Sequence, residues 1–170
     1  MITDNRILIV DDEPDLRDIL KIYLEELGYG VETAPNGQAG LERYREQRPP
    51  IVMTDIKMPG MDGIELLQRI KEENPETEVI MITGHGDMAL AIKSLKLEAT
   101  DFITKPINDD VLGIALKRAH ERIDMRRQIR EYTENLETLV SEKSAKVVEL
   151  ERLTALGQAV DCLSTAFLNI

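Results

Sequence analysis

Cysteine is all but missing from this chain: one residue, Cys162, in 170. No intrachain disulfide can form, and a reducing compartment is expected. Tryptophan is absent and aromatic residues make up 4% of the chain, so a core has to be aliphatic; the 42% hydrophobic content is enough to build one. Positive charge is in deficit. Twenty-one Lys and Arg against 32 Asp and Glu leave a net charge of −11. Nucleic-acid binding needs a basic footprint, so direct nucleic-acid contact is not expected, and neither is attraction to an anionic membrane. No apolar run approaches the length of a membrane-spanning helix. The first five residues, Met1-Ile2-Thr3-Asp4-Asn5, lack the charged start and apolar segment of a signal peptide. A cytosolic protein is expected. The two histidines, His85 and His120, lie far apart in the sequence and offer no zinc set.

Over the first ~110 residues two periodicities alternate, one of strands and one of helices. Arg6 to Val10 reads as a buried strand. Pro14 to Leu27 reads as a helix with Pro14 in its first turn, where the missing N–H costs nothing. Its expected apolar face is Leu16, Ile19, Leu20, Tyr23, Leu24 and Leu27, with Gly28 placed to cap it. Val31 to Ala34 is a second strand. A helix then runs from Asn36-Gly37 to about Gln47, where Pro49-Pro50 ends it. Ile51 to Thr54, Glu78 to Ile82 and a segment within Ala99 to Thr104 supply three further strands. Helices are expected at Asp62 to Glu73, with Asp62 as N-cap, and at Asp87 to Lys96. Five strands alternating with helices imply an α/β fold: a doubly wound parallel sheet with helices on both faces.

In such a sheet the carboxyl ends of the strands form one crevice, where chemistry is placed. The first strand ends in Asp11-Asp12, the third in Asp55, the fourth in Thr83, and the last leads to Lys105-Pro106. Three carboxylates converging without a partner repel one another and suppress their own ionisation. A divalent cation resolves this, and all-oxygen ligation suits Mg²⁺. A carboxylate beside Mg²⁺ can attack phosphorus and form an acyl phosphate. The phosphoryl oxygens then need donors and positive charge, which Thr83 and Lys105 carry.

In order and spacing these residues, including the run Asp55-Ile56-Lys57-Met58-Pro59-Gly60-Met61-Asp62-Gly63, resemble the receiver domain of bacterial two-component response regulators. The resemblance covers about Asn5 to Ala119 and implies the flavodoxin-like receiver fold. It implies that Asp55 is the phosphoacceptor, that Asp12 and Asp55 ligate Mg²⁺ with the backbone carbonyl of Lys57, and that Asp11 acts mainly through water. Thr83 and Lys105 would hold the phosphoryl group, and Phe102 matches an aromatic switch position, with plain core as its alternative. Lys57 and His85 match positions that tune phosphoryl lifetime, with a solvated loop as theirs. Lys105-Pro106 fits the family's cis bond. Glu98 departs from the usual Gly, at a cost if that residue is left-handed. A Mg²⁺-dependent aspartyl phosphatase is the alternative enzyme reading. Such enzymes usually carry an Asp-x-Asp motif on the first strand, which this chain lacks.

After Pro106 there is no proline, and Gly113 and Gly157 are the remaining glycines. Asn108 can cap a helix. Apolar residues follow a near-heptad through Met125, Ile129, Tyr132, Leu136 and Leu139. The spacing lengthens to fours through Lys143 and Val147, a stutter, before returning at Leu150 and Leu153. A coiled-coil stem continuous with the last helix is expected, making a parallel homodimer; one amphipathic helix folded back on the domain is the alternative. Leu136 to Ala145 resembles the signalling helix that joins sensory to output modules, with Glu142-Lys143-Ser144 replacing its Glu-Arg-Thr. Glu151 to Val160 resembles the first dimerisation helix of histidine kinases. Where such kinases have Ser-His-Ala, this chain has Ser164-Thr165-Ala166. No kinase activity is therefore expected. The helix end at Cys162, Leu163, Ala166, Phe167 and Ile170 needs burial. The expected organisation is a receiver at 1–119, a coiled-coil signalling helix at 120–156, and the start of a truncated or degenerate kinase-type dimerisation helix at 157–170. The expected function is phosphorelay signalling from a histidine kinase or phosphotransfer protein. The N-terminal fragment of a receiver-containing histidine kinase is the alternative.

Overall fold

The structure is a computed structural model that describes residues 4–168, without the side chains of residues 165 and 167. The expectations placed on Thr165, Phe167 and Ile170 therefore fall outside what is described. The chain divides into two units, Met1–Asp124 and Met125–Ile170.

In the first unit five strands alternate with helices: β1 (Arg6–Val10), α1 (Pro14–Glu26), β2 (Gly30–Ala34), α2 (Gly37–Gln47), β3 (Ile51–Asp55), α3 (Gly63–Glu73), β4 (Glu78–Thr83), α4 (Met88–Lys96), β5 (Asp101–Thr104) and the start of α5 (Asp109–Leu168). All strand pairs are parallel, in the order β2-β1-β3-β4-β5. Alternate side chains of each strand enter opposite layers. Leu8, Val10, Val52, Val79 and Met81 pack with α2 and α3 residues such as Leu41, Tyr44, Leu67 and Ile70. Ile7, Ile9, Ile51, Met53 and Ile80 pack with Leu20 and Leu24 of α1 and Leu112 and Leu116 of α5. Burial on both faces explains why these strands read as continuous aliphatic runs.

The helix starts follow their capping chemistry. Asn36 accepts a hydrogen bond from the Ala39 amide at α2, and Asp62 accepts one from the Glu65 amide at α3, both at 2.8 Å. Gly28 lies at φ 93°, just past the end of α1. The apolar face expected of α1 is narrower than the sequence suggests. Leu20 and Leu24 are buried, but Ile19 and Leu27 are exposed. The 100° helical step carries Ile19 off the line of contact with the sheet, and Leu27 lies beyond the last turn. Glu98 lies at φ 71°, the left-handed region that favours glycine. The Lys105–Pro106 bond is cis.

In the second unit the chain is α-helical as far as Leu168. Met125, Ile129, Tyr132, Leu136 and Leu139 are all exposed there. No helix among the described residues is long and apolar enough to cross a membrane.

Candidate functional site

The strand order reverses between β1 and β3, and a crevice opens there at the carboxyl ends of the strands. Asp55 closes β3, and Asp11 follows β1. Ligand atoms of Asp11, Asp12, Glu13 and Asp55 lie within 4.8 Å of one another. Asp11 and Asp55 are buried, whereas Asp12 and Glu13 are exposed. Two backbone contacts hold the first acidic loop. The Glu13 amide donates to Asp11 Oδ1 at 2.8 Å, and Arg17 Nη1 donates to the Asp11 carbonyl at 2.6 Å.

Lys105 reaches into this group from the loop after β5. Its ammonium donates to Asp55 Oδ2 and to Glu13 Oε1, each at 2.8 Å, and stands 3.6 Å from Asp11 Oδ2. The last distance is ionic attraction without a hydrogen bond. Burial works against the charge of Lys105. The hydrogen bonds to Asp55 and Glu13 outweigh it and hold the ammonium protonated well above its usual range. Asp11 moves the other way. Burial raises its pKa above the ordinary carboxylate value, and the negative charge of Asp55 adds to that, against the Glu13 amide and Lys105. Asp11 Oδ2 is buried with no hydrogen-bond partner. Orphaned buried oxygens are rare and call for a partner.

Thr83 closes β4 and is buried. Its hydroxyl donates to the Gly84 carbonyl at 3.2 Å, and its carbonyl accepts from the Lys105 amide at 2.7 Å. Thr83 and Lys105 are therefore tied through backbone, while the Thr83 hydroxyl is engaged within its own loop. Phe102 is half-buried against the α2–α3 layer. Lys57 and His85 are exposed, and the Lys57 ammonium pairs with Asp87. The backbone under Asp55 is tight. A Cβ on Gly63 would stand 2.0 Å from the Asp55 carbonyl oxygen, so only glycine lets α3 start there.

Of the residues expected from sequence, Asp11, Asp12, Asp55 and Lys105 come together, and Thr83 lies on the adjoining strand. Glu13 was missed, although it is the third acid in the run Asp11-Asp12-Glu13. Asp87 was read as the first residue of a helix. It caps no amide with its side chain and instead pairs with Lys57. Nothing in the sequence signals that pairing, because the two residues are on different loops.

A fold of this order with an acid cluster and a lysine at the β1–β3 switch point defines a receiver. Residues 7–117 match the response regulator receiver domain family. The chain belongs to that family, which places it in phosphorelay signal transduction. It is 43% identical over 127 residues to the nitrogen assimilation regulatory protein NtrX of Azorhizobium caulinodans, covering 74% of this chain and 28% of that protein. It is 39% identical over 119 residues to the transcriptional regulatory protein FixJ of Bradyrhizobium diazoefficiens, covering 70% of this chain and 58% of FixJ. The chain thus spans less than two thirds of either relative. A crystal structure of a response regulator receiver domain protein from Clostridium thermocellum is similar, with a TM-score of 0.69 and 36% identity. The match covers 71% of this chain and 97% of that one.

Proposed function

We propose that this chain receives a phosphoryl group on Asp55 and passes the change to the helix that leaves the receiver. The observation that carries this reading is the approach of the Lys105 ammonium to Asp55 Oδ2, at 2.8 Å, inside a cluster of four acids. The donor would be a histidine kinase, a phosphotransfer protein or a small phosphodonor. An Asp55 carboxylate oxygen attacks phosphorus. The new P–O bond forms as the donor's bond to phosphorus breaks, and the leaving nitrogen or oxygen keeps the electron pair. Lys105 then neutralises phosphoryl charge, and the Thr83 hydroxyl donates to a phosphoryl oxygen. Kinase activity is not part of the reading.

The donor set fits Mg²⁺. All four acids offer oxygen, and the buried Asp11 Oδ2 lacks a hydrogen-bond partner. Asp12, Asp55 and the Lys57 backbone carbonyl would hold the ion directly, and Asp11 through water. Bound there, Mg²⁺ would offset the carboxylate charges and attract phosphoryl oxygens. Asp11 and Asp12 keep the crevice negative enough to need a cation. Phe102, half-buried beside β4, is the candidate that responds when Thr83 changes partner.

The helical segment is proposed as a coiled-coil signalling stem, 120–156, running into a kinase-type dimerisation helix without its histidine, in a parallel homodimer. Its exposed stripe from Met125 to Leu139 supports this, because an apolar stripe on a long helix is covered by a second helix. A cytosolic location is part of the reading.

Intact-protein mass after incubation with acetyl phosphate and Mg²⁺ tests the acceptor. The chain gains one phosphate and Asp55→Ala gains none; no gain on the unaltered chain overturns the reading. Solution mass with and without beryllofluoride tests the stem. A dimer in both states supports a constitutive coil, doubling supports phosphorylation-driven assembly, and a monomer in both states removes the dimer.

A further inference from the structure

Lys57 and Asp87 form an ion pair between two loops. Lys57 is two residues past Asp55, and Asp87 is four past Thr83. The side chain of Lys57 is 67% exposed and that of Asp87 only 7%. A carboxylate this buried is held by its partner, because loss of the partner leaves it desolvated and unpaired. Asp87 also sits at the N-cap of α4, where an aspartate ordinarily accepts a backbone amide, as Asp62 does at α3. Asp87 makes no such bond, and its φ of −99° and ψ of 20° leave the extended geometry of the caps Glu13, Asn36 and Asp62. One of its oxygens faces Lys57. The other lies 3.5 Å from where a Cβ on Gly84 would stand. The Gly84 carbonyl in turn accepts the Thr83 hydroxyl. The ion pair thus anchors the loop from Gly84 to Asp87 at one end, and the Thr83 hydroxyl engages the Gly84 carbonyl at the other.

We propose that the Lys57–Asp87 pair is a latch on the resting receiver: it holds the loop from Gly84 to Asp87 so that the Thr83 hydroxyl stays committed to Gly84, and it opens when Asp55 takes up a phosphoryl group. The proposal rests on the reading of Asp55 as phosphoacceptor. Lys57 and Asp87 touch none of the reacting atoms with their side chains, so they act as positioning residues. For Thr83 to serve a phosphoryl oxygen it has to release Gly84. Gly86, at φ 86°, gives the loop backbone freedom, and the ion pair restrains its far end. Removing the pair destabilises the resting arrangement and leaves the phosphoryl-bound one untouched, which shifts the population toward capture.

The test uses the full chain and four variants: Lys57→Gln, Asp87→Asn, both together, and the exchange Lys57→Asp with Asp87→Lys. The rate of phosphate gain from acetyl phosphate with Mg²⁺ is followed by intact mass. Each single variant and the double variant gain phosphate about three- to tenfold faster, as expected for the loss of one partly buried pair. The double variant is no faster than either single one, and the exchange returns the rate toward the unaltered chain. In phosphate-free protein, the Gly84 and Gly86 amide resonances of the variants move toward their beryllofluoride-bound positions. A slower Lys57→Gln with a faster Asp87→Asn, adding in the double variant, means a simple charge effect on an anionic donor and overturns the latch. Equal rates with unmoved amides also overturn it. No phosphate on the unaltered chain overturns the acceptor reading and the latch with it.

Discussion

Leu24 and Leu136 are the same residue type on helices of one chain, yet Leu24 is fully buried while Leu136 keeps 42% of its surface in solvent. The difference follows from what each helix packs against. In the receiver unit, α1 lies on a sheet whose face supplies Ile7, Ile9, Ile51 and Met53, so aliphatic side chains close a core within the chain. In the second unit a single helix carries its stripe with no other element in that unit to cover it. A helix draws most of its stability from a packed apolar face. The receiver therefore has its partners within its own unit, whereas the stripe on the helical segment is exposed.

The sharpest way to break the receiver's side of this comparison is Gly63→Ala. Its Cβ would collide with the backbone beneath Asp55, and the loop carrying the acid would have to move. A loss on the order of 4 kcal/mol is expected in denaturant unfolding followed by tyrosine fluorescence. Leu24→Ala should cost the receiver about 3 kcal/mol by the cavity it leaves. Leu136→Ala should leave that transition in place and instead weaken self-association about tenfold, as read by sedimentation at decreasing concentration. An equal effect of the two leucine variants on receiver unfolding would erase the distinction between the regions.

Asp11→Asn probes the acid cluster. Burial raises the folded pKa of Asp11 above its ordinary 3.8, so the protonated form is the one folding favours. Its stabilising contribution is complete below pH 3.8 and is lost as pH rises through the folded pKa. In metal-free buffer at pH 7 the variant should therefore melt higher than the unaltered chain, with the gap closing as pH falls through the raised folded pKa towards 3.8. Added Mg²⁺ should raise the melting temperature of the unaltered chain more than that of the variant. The smallest effect is expected from Glu98→Gly, which relieves the left-handed backbone at the end of α4 and should add about 0.5–1 kcal/mol.

Much of the receiver was legible because its periods are strong. Runs such as Ile7 to Val10 and Ile51 to Thr54 are aliphatic throughout, as strands buried on both faces must be. Capping residues such as Asn36 and Asp62 marked helix starts within a residue. A boundary slipped where the signal was local and weak: Asp87 stands outside α4, whereas β5, at Asp101 to Thr104, lies within the expected segment. The amphipathic reading of α1 overreached at Ile19 and Leu27, because periodicity shows which residues share a face but not how wide the covering surface is.

The sequence by itself determined the alternation of strands and helices, the acids and the lysine at the strand ends, and the long proline-free segment after Pro106. These depend on local residue preferences and on spacing, which are properties of the chain read in order. Only the tertiary structure decided that Glu13 joins Asp55 on Lys105, that Asp11 Oδ2 is left without a hydrogen-bond partner, and that Asp87 turns from its helix to Lys57. Each of those contacts joins or isolates groups on separate loops. The parallel sheet sets their distances by stacking strands far apart in sequence, and no spacing along the chain encodes that.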